Sequence, residues 1–367
     1  MNKPVLSSAR IALAAGAMML MGHQAEACEF AKIAELHVAV ENGQILIPGT
    51  LGGKPMKFLF DTSYSASLIP SGAARRLDVP VSSLTAVGVS SLVGGNVNYK
   101  DNSFAEVPEL TLDGFAVKDT FFRVFGTTDI ANFGGKDVAA LLGADFWKGY
   151  DVEVDLPRKL INLYRTKECG SSNLAYWSSS YNMVDLQRYG AQTAFSLQLD
   201  GHDMAAVLDS GSPHSVLTDK AAARIGLSPG NGAVLAAEER DGGTQPTDLP
   251  SLLRIGYGLG LSDLSPNILS NGFPETLRAA PPADYWLARF KSVTIDQETV
   301  SPFSVRVVHT APTRTPEVGT LIPANEPFHY DMLLGVDFLM SHRILIANSQ
   351  NKLYFTFTGG MSFAKPS

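Results

Sequence analysis

The chain is written twice, and its fold has to accommodate that. The segment from Ile45 to Ser63 (ILIPGTLGGKPMKFLFDTS) and the segment from Thr193 to Gly211 (TAFSLQLDGHDMAAVLDSG) share one layout. Each is an apolar run, a Gly-containing turn, a second apolar run, and an Asp followed by a hydroxyl residue. A shift of 148 residues lays Gly53 on Gly201 and Asp61 on Asp209. Self-similarity of this kind means one structural unit used more than once. Two short apolar runs around a Gly turn read as a β-hairpin, here one that delivers an Asp. The copies continue: Ser67-Leu68-Ile69-Pro70 answers Ser215-Val216-Leu217-Thr218. An Ala-rich stretch follows each, expected to be a short helix opened by Pro70 or by the capping pair Thr218-Asp219.

A second pair of matched segments lies downstream. LLGADFW from Leu141 to Trp147 matches LLGVDFL from Leu333 to Leu339, at a shift of 192. Each reads as an apolar strand, a Gly turn into one helical turn, and a further strand. The second shift less the first leaves 44 extra residues in the second copy, assigned to an insertion over about 229–285 that is rich in Gly, Pro and Ser. Long irregular insertions of this kind are usually functional loops or poorly ordered. The organisation expected is an N-terminal lobe over 28–170, a crossover over 171–185 and a C-terminal lobe over 186–367. Tyr176 and Trp177 are the expected anchors of the crossover. With 33 Gly, 21 Pro and recurrent short Val, Thr, Ile and Phe runs, the class expected is all-β.

Residues 1–27 are set apart from the fold. Lys3 and Arg10 precede an eleven-residue apolar core, Ile11 to Met21, and Ala25-Glu26-Ala27 completes a cleavage pattern. This reads as a secretory signal peptide, since spanning a bilayer takes roughly 20 apolar residues. The protein is therefore expected to be exported, periplasmic or extracellular, with no transmembrane span after signal removal. Lipid anchoring at Cys28 is not expected, because Ala25 stands where a lipoprotein signal carries Leu. Cys28 and Cys169 are the only cysteines. In an oxidising compartment they can pair; the alternative is two free thiols. No zinc-ligand spacing is present, so neither metal nor cofactor is expected. The chain has 29 basic and 36 acidic residues and no basic run, which excludes nucleic acid as the main partner.

The chemistry lies in the two acidic turns. Asp61 follows Phe58-Leu59-Phe60 and Asp209 follows Ala206-Val207-Leu208, so each carboxylate stands at the edge of a core. A carboxylate is costly to bury alone. Two of them, one per lobe, can face each other. Carboxylates about 3 Å apart cannot both ionise and so share one proton. One then acts as general base on a water while the other, protonated, polarises a carbonyl. Thr62 and Ser210 suit a bracing role across to the opposite turn's backbone. A Gly in the third position, as at Gly211, lets backbones approach closely and donate to the carboxylate.

These motifs resemble those of retropepsin-like aspartic proteases. Over nearly everything after residue 28, the chain is similar to exported, two-lobed bacterial aspartyl protease family proteins. The resemblance rests on Asp61-Thr62 and Asp209-Ser210-Gly211-Ser212, on the Ser and apolar pair that follow each, and on the two LLGxDF segments. Cys28, the Cys169 to Trp177 region, Leu339-Met340-Ser341-His342-Arg343 and Asn351 to Phe355 also carry it. It implies a pepsin/retropepsin β-barrel in each lobe and a cleft between them. Asp61 and Asp209 would be the catalytic dyad, supported by Thr62, Ser63, Ser210 and Gly211. The implied activity is endopeptidase hydrolysis of a peptide or protein lying extended across the cleft. The first turn departs from the pattern: Ser63 stands where the family has Gly, and Tyr64 where a small residue is usual. A Cβ at Ser63 can crowd the partner turn. This motivates an alternative, a peptide- or protein-binding module that keeps the fold without turnover.

Other features carry less. The run from Val87 to Val97 resembles the family's flap, tipped at Gly94 and Gly95, and reads equally as an ordinary hairpin. His214, five residues after Asp209, reads as a tolerated turn residue and not as a triad member, since triads are set by geometry. Gly256-Tyr257-Gly258-Leu259-Gly260 has the wrong spacing for a nucleotide loop. Asp145 and Asp337 are expected to cap or bond locally at short helices. The alternation Tyr150-Asp151-Val152-Glu153-Val154-Asp155 is expected to turn its acids to solvent. The oligomeric state is left open.

Overall fold

A computed structural model describes residues 28–64, 66–83, 103–125, 137–189, 192–229, 233–234, 285–308, 330–360 and 363. The expected signal peptide, the flap residues Gly94 and Gly95, and most of the expected insertion lie outside the described residues.

Both predicted hairpins form. Gln44–Leu51 pairs antiparallel with Lys54–Phe60, and Gln192–Leu199 with His202–Leu208. Their two-residue turns take positive φ at both positions, 57° and 76° at Gly52 and Gly53, 49° and 80° at Asp200 and Gly201. That geometry matches the strand twist and is why Gly, or Asp before Gly, stands there. Burial deepens along the returning strands until Phe58, Leu59 and Phe60 are fully buried. Each such side chain contributes about 1.5–3 kcal/mol on leaving water.

In the first half these strands belong to an eight-stranded sheet. Its path runs from Gln44–Leu51 through Lys54–Phe60, Val138–Leu142, Leu68–Pro70, Phe115–Phe125 and Ser103–Leu112. Ser103–Leu112 pairs back onto Gln44–Leu51, closing a barrel of six strands. The second half repeats the central order: His202–Leu208, Met332–Leu334, Val216–Thr218, Phe303–Val308. The pairing senses repeat too. Lys54–Phe60 runs parallel to Val138–Leu142, as His202–Leu208 does to Met332–Leu334. Leu68–Pro70 runs parallel to Phe115–Phe125, as Val216–Thr218 does to Phe303–Val308. The fold is thus two homologous barrel-type lobes in an all-β chain, the first closed and the second, among the described residues, a half-barrel sheet. Both short helices form, Ser71–Arg76 and Asp219–Arg224. Thr218 caps the second by accepting from the Ala221 N–H, whereas Pro70 precedes the first with no side-chain cap.

A third sheet joins the halves. Its six strands run Glu29–His37, Leu160–Lys167, Asp151–Asp155, His342–Ala347, Lys352–Phe357 and Asn182–Asp185. Three come from each half, and the seam is the antiparallel pairing of Asp151–Asp155 with His342–Ala347. Cys28 and Cys169 form a disulfide that ties the outer strand Glu29–His37 to its neighbour Leu160–Lys167.

The acidic alternation is buried and does not turn to solvent as expected. Asp151, Glu153 and Asp155 are 2%, 0% and 3% exposed, so they face no solvent. The strand is central in its sheet and covered on both faces, as buried strands are. Val152 and Val154 enter the main core. Glu153 accepts from Tyr164 Oη (2.8 Å), Tyr176 Oη (2.7 Å) and Arg343 Nε (2.8 Å). Asp151 accepts from the Ser349 N–H and hydroxyl, and Asp155 from Arg158. Buried charges persist when paired and hydrogen-bonded in this way. The expected anchors supply the cover: Trp177 donates to Thr356 Oγ1, and the Arg343 guanidinium lies 4.9 Å from the Trp177 ring centre and 5.3 Å from that of Tyr176.

Candidate active site

Each Asp is fixed by the strand beside it. The Asp61 N–H donates to the Leu142 carbonyl (3.1 Å) and the Asp209 N–H to that of Leu334 (2.8 Å). The chain after each Asp wraps the following LLG segment. Ala144 N–H donates to the Tyr64 carbonyl and Val336 N–H to that of Ser212. This approach requires Gly143 and Gly335. A Cβ on Gly143 would lie 2.6 Å from the Ala66 carbonyl oxygen, and one on Gly335 2.7 Å from that of Ser212.

Asp145 and Asp337 complete this wrap. Neither is the helix cap, which is Gly143 or Gly335. Asp145 accepts from Ser67 Oγ (2.7 Å), whose oxygen in turn accepts from the Gly143 N–H (3.0 Å). Asp337 accepts from Ser215 Oγ (2.7 Å) and the Ser215 N–H (2.9 Å), and Ser215 Oγ accepts from the Gly335 N–H (2.9 Å). Burial pushes the Asp337 carboxyl above the ordinary carboxylate range, against these hydrogen bonds.

The two turns meet. Thr62 Oγ1 donates to the Leu208 carbonyl (2.7 Å) and accepts from the Ser210 N–H (3.2 Å). Ser210 Oγ donates to the Phe60 carbonyl (3.1 Å) and accepts from the Thr62 N–H (2.9 Å). Four hydrogen bonds, two from each side, lock one turn to the other. They satisfy backbone groups that would otherwise be stranded where two strands end in a buried site.

This lock sets Asp61 and Asp209 against each other, 7% and 4% exposed. Asp61 Oδ1 accepts from the Ser63 N–H (2.9 Å) and the Tyr64 N–H (2.9 Å), Asp209 Oδ1 from the Gly211 N–H (3.0 Å). A Cβ built on Gly211 would stand 2.3 Å from Asp61 Oδ2, so this position admits only Gly as the site stands. Ser63, 4% exposed, does not simply crowd the opposite turn. Its Oγ lies between the acids, 2.9 Å from Asp61 Oδ1 and 2.8 Å from Asp209 Oδ1.

Two tyrosines flank the pair. Burial, and secondarily the charge of Asp61, pushes the Tyr64 phenol up to about 12. Burial, and secondarily Asp209, drives the Tyr330 phenol well above its ordinary value. Tyr330 went unnoticed in sequence, where its only signal is its place three residues before the second LLG segment. A groove of about 1190 Å³ lined by Trp177, Arg289, Glu298 and Arg343 contains neither Asp. The candidate site is defined by its chemistry and not by volume.

Residues 47–146 match a family model described as aspartyl protease. The match lies in the first half of the chain, and the second half repeats its strand order and its Asp turn, which supports a likeness to retropepsin-like aspartyl protease family proteins. No curated protein matches it. Among solved structures it is similar to a retropepsin-like aspartic protease from Rickettsia conorii, at 15% identity and a TM-score of 0.24, covering 38% of this chain and 96% of that one. It is similar also to the aspartic proteinase from Irpex lacteus, at 11% identity and a TM-score of 0.43, covering 93% of this chain and 100% of that one. Basic 7S globulin from soybean matches at 10% identity and a TM-score of 0.42, covering 88% and 94%.

Proposed function

We propose that the protein is an exported aspartic endopeptidase. Asp61 and Asp209 hold one proton between them, one acting as general base on a water and the other polarising the scissile carbonyl. The single observation that carries this reading is the convergence of the two carboxylates, one from each lobe, under the crossed Thr62 and Ser210 bonds. The Ser63 hydroxyl lies 2.9 Å and 2.8 Å from an oxygen of each acid, so a proton shared by the pair relieves the repulsion of two neighbouring buried charges. The N-terminal signal pattern and the disulfide support passage through an oxidising compartment. No helix among the described residues is long and apolar enough to cross a membrane.

A second reading is favoured by Ser63, whose hydroxyl sits between the acids. If it takes the place a reacting water needs, the fold is a peptide-binding module without turnover. One assay separates the two. A denatured protein or peptide library at mildly acidic pH is expected to be cleaved, with pepstatin-class compounds blocking the reaction. Asp209→Ala is expected to lower the rate by at least about 10²–10⁴-fold, the scale of a lost acid–base group. Cleavage that survives this substitution removes the dyad mechanism, and peptide binding without cleavage establishes the module.

A further inference from the structure

The hydroxyl of Ser63 poses a problem of hydrogen count. A serine hydroxyl carries one hydrogen and two lone pairs. Ser63 Oγ is at hydrogen-bond distance from two carboxylate oxygens, Asp61 Oδ1 and Asp209 Oδ1. One hydrogen serves only one of them. The other contact would set a hydroxyl lone pair against a carboxylate lone pair in a buried site, where repulsion is poorly screened. A hydrogen on that second carboxyl turns the contact from repulsive to attractive.

We propose that Ser63 is a positioning residue that bridges the dyad's shared proton: its O–H donates to Oδ1 of one acid while the other acid, protonated on Oδ1, donates to Ser63 Oγ. Backbone N–H groups hold both acids in place: those of Ser63 and Tyr64 donate to Asp61 Oδ1 and that of Gly211 donates to Asp209 Oδ1. The catalytic meaning of the bridge rests on the peptidase function, in which the pair supplies one base toward water and one acid toward the substrate carbonyl. The bridge also gives a reason for a side chain where the family pattern has Gly. The hydroxyl replaces a direct carboxyl–carboxyl contact with a bridge.

Other titratable groups stand around the pair. Tyr64 faces Asp61, Tyr330 faces Asp209, and Arg123 acts on Tyr64. His214 lies in the same turn as Asp209. Both phenols stay neutral through the working range, so neither competes for the shared proton. The bridge stabilises the one-proton state against both the two-proton and the zero-proton states, and so widens its pH window on both sides.

The test pairs a pH profile with a measurement that needs no turnover. Ser63→Ala is expected to narrow the bell of peptide hydrolysis by about one pH unit on each limb, the scale of one charge-assisted hydrogen bond. Ser63→Thr, which keeps the hydroxyl, is expected to retain the wild-type width. A purely structural Ser63 would lower the rate with the width unchanged, and that outcome overturns the proposal. In parallel, the carboxylic-acid C=O infrared band is titrated in the same three proteins. Its upper midpoint is expected to fall by about one unit in Ser63→Ala and to stay in Ser63→Thr. Equal midpoints overturn the bridge whether or not the chain cleaves peptides. A shifted midpoint without turnover keeps the bridge and fails the peptidase reading instead. Should Ser63→Ala not fold, Asp337→Asn removes a carboxyl that burial raises, and an acid band must still remain at about pH 6, above the ordinary carboxylate range. Its absence overturns the proposal without any change at Ser63.

Discussion

Asp61 and Asp209 leave equivalent strands, bond to equivalent LLG carbonyls and stand beside a half-buried tyrosine each. Yet Ser63 puts a side chain into the junction where Gly211 leaves none. The comparison shows that the junction has room for one side chain and not for two. A Cβ on Gly211 would meet Asp61 Oδ2 at 2.3 Å, while the one present at Ser63 delivers a hydroxyl to both acids. Two copies of one motif can thus diverge in role because the second copy keeps the space that the first has filled.

The sharpest way to break this comparison is to fill the second turn as well. Gly211→Ser is expected to cost about 1–3 kcal/mol in chemical denaturation, the scale of overpacking in a core, and to abolish binding of pepstatin-class compounds. Moving the side chain across, Ser63→Gly with Gly211→Ser, is expected to recover much of that stability, since only one position is then filled. If Gly211→Ser alone is as stable as the parent, the turns are interchangeable and the argument from space fails.

The braces test what the turns share. Thr62→Val keeps the shape but strands the Leu208 carbonyl and the Ser210 N–H; Ser210→Ala does the same to the Phe60 carbonyl and the Thr62 N–H. Each is expected to lower stability by about 1–3 kcal/mol. The double variant is expected to lose less than the sum, because all four bonds form one network. Strict additivity would mean that the two braces act independently.

The smallest effect belongs to the flanking tyrosines. The Tyr64 phenol is raised to about 12 in the folded chain, above its ordinary value near 10. A raised folded value contributes stability that is complete below the unfolded value and lost as pH rises through the folded one. Alkaline melting curves are therefore expected to fall between about pH 10 and pH 12. Tyr64→Phe flattens that fall, as does Tyr330→Phe for the other turn. An unchanged alkaline limb in both would show that neither phenol is held neutral against its Asp.

The hairpins and acidic turns could be read from sequence because their signals are local: Gly at a positive-φ turn, apolar runs, an Asp at the strand end. Thr218 as a cap is local in the same sense. The match of Phe115–Phe125 to Phe303–Val308 was not, since it appears only in which strand each one pairs with. Asp151, Glu153 and Asp155 were misread because alternation does not say what covers the polar face. Here the cover includes Arg343, 190 residues away, and Tyr176. Asp145 and Asp337 looked like caps because their serine partners are 78 and 122 residues distant. The Asp pair and its hydroxyl neighbours could be named from sequence, but the bridging position of the Ser63 hydroxyl could not. A sequence can show that a Cβ is present, but where its oxygen comes to rest depends on the opposite turn.

The seam between Asp151–Asp155 and His342–Ala347 bears on biosynthesis as well as on the finished molecule. During synthesis the first lobe is complete long before the strand that closes its edge exists. In that interval Asp151–Asp155 offers unpaired backbone groups, and Glu153 lacks the guanidinium that later neutralises it. An open edge is a template for any strand, including the same strand of another nascent copy. The first half therefore depends on a strand of the second for protection, and loss of His342–Ala347 is expected to expose the N-terminal lobe to aggregation.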